Sequence, residues 1–444
     1  MTPEPLDVAI IGAGTAGLSA RSEVAKVTDR YRVFDPGPLG TTCARNGCMP
    51  SKAFLQSAHD LHRRHAFDAL GLRGAEALRA DGATVLAEVR RLRDGFVQGV
   101  IDGMEAWRDT HLIEAAPRFD AEGVLTAGGR RFLPRATVVA TGSRPFVPEG
   151  WRERLGRRLL TTDDLFELEE LPERVAVIGL GPVGLELGQA LARLGVEVTA
   201  FDPTPEIGGL TDTDLQARLK AALAPEMRIV EAKAEPEDRD GAAIGLRWEG
   251  GEIEVDRLLV AMGRRPNLDG LGLDRVGAAP GESGRPDLPD GRLNLPGTRI
   301  YFAGDIVAGP ALLHEAADEG SIAGHFAARG EDARFRRRVA LRMVFCEPQI
   351  ALAGETGRAA EGGIVTGEAP FDDAGRARLQ RRPGGLIRIE AEAASARLLG
   401  AAILGPEAEH LAHLLCHAID RGDDLPALLR APAYHPTHEE VLRR

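Results

Sequence analysis

Lysine is nearly missing from this chain. Of 444 residues 55 are basic, and all but Lys26, Lys52, Lys220 and Lys233 are arginines. A lysine inside a motif here is therefore read as a compact point charge that arginine's planar fork does not replace. Cysteine is just as scarce, with four residues. That excludes a disulfide scaffold at this length, so any disulfide is expected to be chemical rather than structural. No apolar run approaches the roughly eighteen residues of a membrane span. The opening Met1-Thr-Pro-Glu-Pro has no basic stretch leading into an apolar core, so no secretory signal is expected. Positive surplus is missing too: 67 acids against 55 bases give a formal charge of −12, which argues against nucleic acid or an anionic membrane as partner. These absences lead to the expectation of a soluble, cytoplasmic protein. Its length suggests about two to four domains, and 43% hydrophobic residues exclude general disorder.

What is present is an internal repeat. Asp7-Val-Ala-Ile-Ile-Gly12-Ala-Gly14-Thr-Ala-Gly17 is a short apolar strand running into GxGxxG. The same grammar returns at Arg174-Val-Ala-Val-Ile-Gly179-Leu-Gly181-Pro-Val-Gly184. Each is followed by a helical stretch and a second strand ending in an acid, Asp35 and Asp202, and every marker is displaced by 167 residues. A lone GxGxxG says little in a chain with 53 glycines. The whole unit occurring twice at one offset points to two dinucleotide sites. The first Gly permits the tight turn, the second lets a pyrophosphate approach the backbone, and the third lets helix and strand pack closely. The helix N-terminus offers unpaired N–H groups to the phosphates, and the acid accepts from a ribose diol.

Between the repeats, Val85, Leu86, Val89, Leu92, Phe96 and Val100 predict a helix within 81–107. Short strands with glycine turns are expected over 108–140, ending in Thr141-Gly142-Ser143. A buried strand over 256–262 precedes Gly263, a Gly/Pro-rich stretch covers 270–298, and the strand 299–303 ends in Gly304-Asp305. The residues from about 338 onward read as mixed strand and helix without a nucleotide signature.

Gly40-Thr-Thr-Cys43-Ala-Arg-Asn-Gly-Cys48-Met-Pro50-Ser51-Lys52 follows the first acid closely and therefore lies beside the first dinucleotide. In a regular helix, residues five apart have Cα atoms roughly 8–9 Å apart, too far for a disulfide. Asn46-Gly47 is expected to interrupt the helix and let the sulfurs meet. Pro50 suits a helix start just after Cys48, which favours thiolate there. Two other readings stand beside this one: a zinc half-site, for which no second cysteine pair is present to complete a Cys-rich site, and a pair of inert thiols.

Two nucleotide repeats with Cys-x4-Cys-x3-Ser-Lys after the first resemble the pyridine nucleotide-disulfide oxidoreductases, in the group that includes dihydrolipoamide dehydrogenase, glutathione reductase and mercuric reductase. The resemblance covers nearly the whole chain. Ala140-Thr141-Gly142, Gly263-Arg-Arg-Pro-Asn267, Ala303-Gly304-Asp305 and His435-Pro-Thr437 with Glu440 follow in the family's order. It implies an α/β fold with two Rossmann-like dinucleotide-binding domains and a C-terminal α+β dimerisation domain. The implied domains are 1–145 with 268–335 for FAD, 146–267 for NAD, and 338–444 for dimerisation. By the same resemblance Gly12, Gly14, Gly17, Asp35, Thr42, Thr141, Gly142, Gly304, Asp305 and Leu313 serve FAD. Gly179, Gly181, Gly184, Asp202 and Gly263 serve NAD, and no metal is implied. The resemblance further implies a redox-active Cys43–Cys48 disulfide, with Cys48 the sulfur against the flavin, Cys43 the outer sulfur that exchanges with substrate, Lys52 the lysine near flavin N5, and Glu186 its carboxylate partner. The helix opening at Leu312-Leu313-His314 faces the flavin C2 carbonyl.

Eleven histidines are present, and His410, His413, His417 and His438 crowd the same tail as His435. Pro436 sets His435 apart: it biases that residue towards extended backbone, and a helix is expected to begin at Pro436. Glu440 then turns back to hold the imidazole's tautomer, as a carboxylate orients a general base. In the family this pair comes from the other subunit of a homodimer.

An acid at Asp202 with no arginine or histidine close behind it repels a 2′-phosphate and favours NAD over NADP. Together with the missing C-terminal cysteine pair, this favours dihydrolipoamide dehydrogenase within the group, with dihydrolipoamide or a lipoyl protein as substrate. The alternatives are an NAD(P)H-dependent reductase of another disulfide or of a metal ion, or a low-turnover redox-sensing flavoprotein. Two departures stand out: Thr41 occupies a position where many members carry a second glycine, and Tyr434 precedes the His-Pro-Thr motif.

Overall fold

The computed structural model describes residues 2–358, 362–382 and 384–443. They form two compact units. One comprises 1–51, 88–146 and 264–336, and the other 52–87, 147–263 and 337–444.

In the first unit the apolar run of Glu4–Ile11 pairs in parallel with Tyr31–Phe34 on one side and Arg130–Val139 on the other. Ile300–Phe302 joins the far side of Arg130–Val139, also in parallel. A strand flanked on both sides within a parallel sheet reads as a continuous apolar run rather than an alternating one, and Val8, Ala9, Ile10 and Ile11 are all buried. The short strands Arg118–Phe119 and Leu125–Ala127 extend the sheet antiparallel. The helical pattern predicted within 81–107 resolves into Gly82–Asp102 and a separate helix Glu105–His111, broken at Gly103-Met104.

The second unit repeats this plan. Arg174–Ile178 lies between Glu197–Phe201 and Arg257–Val260, all parallel. The register repeats as well as the sequence: Ile11 pairs with Phe34 in the first sheet, and Ile178 with Phe201 in the second. The same unit holds an antiparallel sheet in the order Leu341–Val344, Gln349–Gly354, Leu398–Gly405, Leu386–Glu392, Ile364–Pro370. Helix Ala408–Asp420 packs on it through Leu411, Ala412 and Leu415. The architecture is thus α/β with two Rossmann-like folds and a C-terminal α+β region.

A buried ionic chain runs through this second unit. Arg193, whose side chain is 2% exposed, holds Glu226 through Nε and Nη2 (2.6 and 3.0 Å) and Glu347 through Nη1 (2.5 Å). Glu347 also pairs with Arg382 (3.0 Å), which reaches Glu407 (3.3 Å). Burial alone pulls the Glu347 carboxyl up, but Arg193, His59 and Arg382 outweigh it and keep it below the usual range. Burial pushes the neighbouring His59 down.

In the first unit, helix Leu313–Arg329 lies on helix Thr15–Val24 so closely that no side chain fits at Gly320 or Gly324. A Cβ at Gly320 would stand 2.1 Å from the carbonyl oxygen of Ala16, and one at Gly324 would stand 2.4 Å from that of Ala20. Gly320→Ala is therefore expected to cost about 1–3 kcal/mol through forced separation of the helices. Gly99→Ala, at a helical site with open space around it, leaves stability unchanged or gains up to about 1 kcal/mol. Chemical denaturation of the two variants side by side checks this.

Candidate functional site

The two glycine turns are built alike. Gly12 (φ +108°) and Gly179 (φ +93°) take a conformation that disfavours a side chain. A Cβ on either would strike the carbonyl of Ala140 or Ala261, at 2.2 and 2.6 Å. A Cβ at Gly17 or Gly184 would fall within 2 Å of the carbonyl oxygen of Gly12 or Gly179, so the third glycine is compelled by helix–strand contact. The second glycine differs. Around Gly14 and Gly181 nothing lies within 4 Å of a built Cβ, and no side chain caps either helix. That leaves room and amide donors for a pyrophosphate at each turn, so both turns fit a dinucleotide.

The acids bind the same way in both copies. Asp35 accepts the Ala13 N–H (2.7 Å) on one oxygen and the Gly37 N–H (2.7 Å) on the other. Asp202 accepts the Leu180 N–H (2.7 Å) and the Thr204 N–H (2.9 Å), with the Thr204 hydroxyl donating at 2.7 Å. Each carboxylate is thereby locked at its strand end with lone pairs remaining for a diol.

The first unit also gathers segments far apart in sequence. Asn267 Nδ2 donates to the Thr141 carbonyl (3.1 Å), and its own N–H donates to the Gly142 carbonyl (2.9 Å). The Ser143 hydroxyl donates to Asp305 (2.5 Å), Arg264 donates to that hydroxyl (2.7 Å), and Gly304 N–H donates to Glu319 (2.8 Å). Arg285 reaches in from the Gly/Pro-rich stretch to donate to the carbonyls of Asp305 and Val307, at 2.6 and 2.7 Å. The Thr141 hydroxyl oxygen is buried without a partner, which suits a polar cofactor group. Leu313 opens its helix half exposed, behind a Leu312 N-cap that makes no side-chain hydrogen bond. Arg285 and Glu319 are not foreseen from the sequence, and Ser143 is foreseen only as part of a turn. Their partners lie between 15 and 162 residues away, and no spacing announces them.

The cysteine segment folds as two helical pieces, Thr42–Arg45 and Cys48–His62, broken at Asn46-Gly47. Cys43 is half-buried and Cys48 exposed. A Cβ at Gly47 would meet the Thr42 carbonyl oxygen at 2.9 Å and the Cys43 Cα at 3.1 Å, so glycine is what lets the second piece turn back over the first. The longer helix opens at Cys48, with Ser51 N–H donating to Gly47 O (3.2 Å), so this cysteine occupies the first helical turn. Thr41 has φ +60° and ψ +149°, a region almost reserved for glycine. Its hydroxyl accepts the Ala44 N–H (3.2 Å) and caps the short helix.

In the second unit Lys52 Nζ lies 2.7 Å from Glu186 Oε2, and the Phe345 N–H donates to Glu186 Oε1 (2.8 Å). Cys346, fully buried next to them, has its thiol pushed well up by burial and by the Glu186 charge. In the tail, His435 Nδ1 sits 2.8 Å from Glu440 Oε1, and Glu440 Oε2 accepts the Thr437 N–H (3.1 Å). The expected helix at Pro436 does not form; a 3-10 turn begins instead at Glu439–Arg443. Glu440 holds the intervening residues by bonding back to 435 and 437, which takes the place of helical bonds there. His435 has 79% of its side chain exposed, whereas His438 is buried against Gln380 (3.0 Å).

The strain at Thr41, about 1–3 kcal/mol, opposes a cap worth about 1 kcal/mol. Thr41→Gly is therefore expected to hold or raise stability, while Thr41→Ala, which keeps the strain and loses the cap, lowers it by about 1 kcal/mol. Thermal melts of the two variants decide this.

The chain matches the pyridine nucleotide-disulphide oxidoreductase family over residues 6–320 and that family's dimerisation domain over residues 341–444. It is 32% identical to the dihydrolipoyl dehydrogenase of Thermus scotoductus, covering 98% of this chain and 95% of that protein. Its identity to the dihydrolipoyl dehydrogenase of Halobacterium salinarum is 30%, covering 98% and 94%. Among solved structures, the Cu(II) complex of the HOCl-induced flavoprotein disulfide reductase RclA from Escherichia coli shares the fold, with a TM-score of 0.86 over 98% of each chain at 22% identity. Among the described residues no helix is long and apolar enough to cross a membrane. The family's cofactors are FAD and NAD(P), which agrees with two glycine turns each open at its second glycine. This chain belongs to the pyridine nucleotide-disulphide oxidoreductases.

Proposed function

We propose that this chain works as a homodimeric FAD enzyme oxidising dihydrolipoamide, free or protein-bound, with NAD as acceptor. The observation that carries the reading is the doubling back at Gly47, which sets the two cysteine turns against each other in a segment that follows directly on the first dinucleotide fold. In the oxidised enzyme Cys43 and Cys48 form a disulfide; the substrate thiolate attacks Cys43, the half-buried outer sulfur, the S–S bond breaks, and Cys48 in the first helical turn leaves as the inner thiolate. His435 takes the thiol protons at Nε2 while Glu440 holds Nδ1. The outward-facing imidazole supports its serving the disulfide of a second copy. Bound flavin supplies the path by which a pair of electrons passes from thiol to nicotinamide. The dithiol loses two electrons and two protons in closing to a disulfide, NAD gains a hydride, and one proton goes to solvent. Asp202, with Pro203, Thr204, Pro205 and Glu206 behind it and no basic residue, supports NAD over NADP.

Two measurements test the reading. NAD reduction by dihydrolipoamide should far exceed NADPH-driven reduction of glutathione disulfide, copper or mercury ions; the reverse ranking overturns the substrate assignment. Anaerobic dithiothreitol should raise a long-wavelength thiolate–flavin band that Cys48→Ser abolishes, and its absence from the parent protein overturns the role of the cysteines.

His435→Gln should lower turnover by about a hundredfold or more. If the histidine acts across the dimer, mixing inactive Cys48→Ser and His435→Gln chains should restore about a quarter of the parent rate by random subunit exchange. No recovery on mixing would place the base within its own chain.

A further inference from the structure

We propose that Phe345 is a positioning residue for Lys52, holding its ammonium by the aromatic face while holding the paired carboxylate by the backbone. This rests on the reading that Lys52 acts beside the flavin. The Lys52 Nζ stands 4.8 Å from the centre of the Phe345 ring and 2.7 Å from Glu186 Oε2, and the Phe345 N–H donates to the other oxygen of that carboxylate at 2.8 Å. One residue therefore grips both partners of the ion pair. Glu186 is nearly buried, with 6% of its side chain exposed, and Lys52 keeps 37%. The carboxylate is thus held by its surroundings, whereas the four-carbon stem of the lysine has rotamers that lead to solvent. A ring face attracts a cation and walls off those rotamers.

Phe345 is itself well anchored. Gln189 accepts the Glu347 N–H (2.8 Å) and donates to the Glu347 carbonyl (2.7 Å), and Arg193 pairs with the Glu347 side chain (2.5 Å). With Glu186, these are positions i, i+3 and i+7 along helix Pro182–Arg193, so one helix face binds the segment 345–347 at successive points. These bonds fix the backbone from which the ring projects. Arginine at position 52 would bring a broader, differently shaped cation to the same place, which agrees with a lysine standing here in a chain whose basic residues are nearly all arginine.

The scarcity of lysine makes the test direct. With four lysines, ε-13C-lysine labelling of the FAD-loaded dimer yields few signals, and Lys52→Met assigns the one that matters. Its ε-protons should be shifted upfield by the ring current. The shift should vanish in Phe345→Leu, which keeps the backbone N–H and the apolar bulk, and persist in Phe345→Tyr. In parallel, the rate of flavin reduction by dihydrolipoamide should fall about three- to tenfold in Phe345→Leu, with KM for NAD unchanged, and Phe345→Tyr should restore it to within about twofold. A Lys52 signal insensitive to Phe345→Leu, or a reduction rate equal in Leu and Phe forms, overturns the proposal while leaving the function intact, provided that Lys52→Met slows reduction. If Lys52→Met leaves flavin reduction and the flavin spectrum unchanged, the role given to Lys52 falls, and this proposal with it.

Discussion

A carboxylate bonded to the amide of its own glycine turn organises each nucleotide fold. Asp35 and Asp202 sit at the end of the second strand, yet each spends an oxygen on the residue after the first glycine, Ala13 or Leu180, at 2.7 Å. That bond ties two neighbouring strand ends together at the point where the chain must swing into a helix. It also aims the remaining lone pairs outward. At the same strand ends the carbonyls of Ala140 and Ala261 press against Gly12 and Gly179, and the N–H groups of Ala140 and Ala261 donate to the carbonyls of Ile11 and Ile178.

The cysteine segment shows a different economy. A short helical turn and a longer helix are held together by one residue without a side chain, Gly47, and entered through one residue in a costly conformation, Thr41. The hydroxyl cap on Ala44 accounts for how a threonine persists where glycine is conformationally easier. Strain of this sort, held in place by surrounding structure, is common where a chain must present reactive atoms.

How much of this was legible in the sequence depended on whether the cause was local. The repeat at an offset of 167 was legible because each turn obeys its own sterics, and the same offset reappears in the pairing of Ile11 with Phe34 and of Ile178 with Phe201. The helix break at Asn46-Gly47 was legible for the same reason. Arg285, Ser143 and Glu319 were not, because their partners are loop carbonyls, a carboxylate and an amide that only the folded chain brings within reach. Nor was Phe345 or Gln189, whose significance lies in hydrogen bonds more than 150 residues away. Pro436 misled: a proline tolerated at a helix start was read as one, whereas a single carboxylate, Glu440, organises that stretch by other bonds. Among the crowded tail histidines, spacing singled out His435, while only packing reveals that His438 is turned inwards on Gln380.

The alternating chain Glu226, Arg193, Glu347, Arg382, Glu407 carries a consequence for modularity. Its members come from the second glycine-turn fold and from the C-terminal sheet with its loops, and Arg193 is almost wholly screened from water. Cutting the chain before the C-terminal region would strand that guanidinium with one of its two acids and leave Gln189 facing no backbone, a penalty that buried polar groups do not tolerate cheaply. The two parts therefore act as one piece: neither is a cassette to be exchanged unless the residues at 189, 193, 226, 347 and 382 travel together.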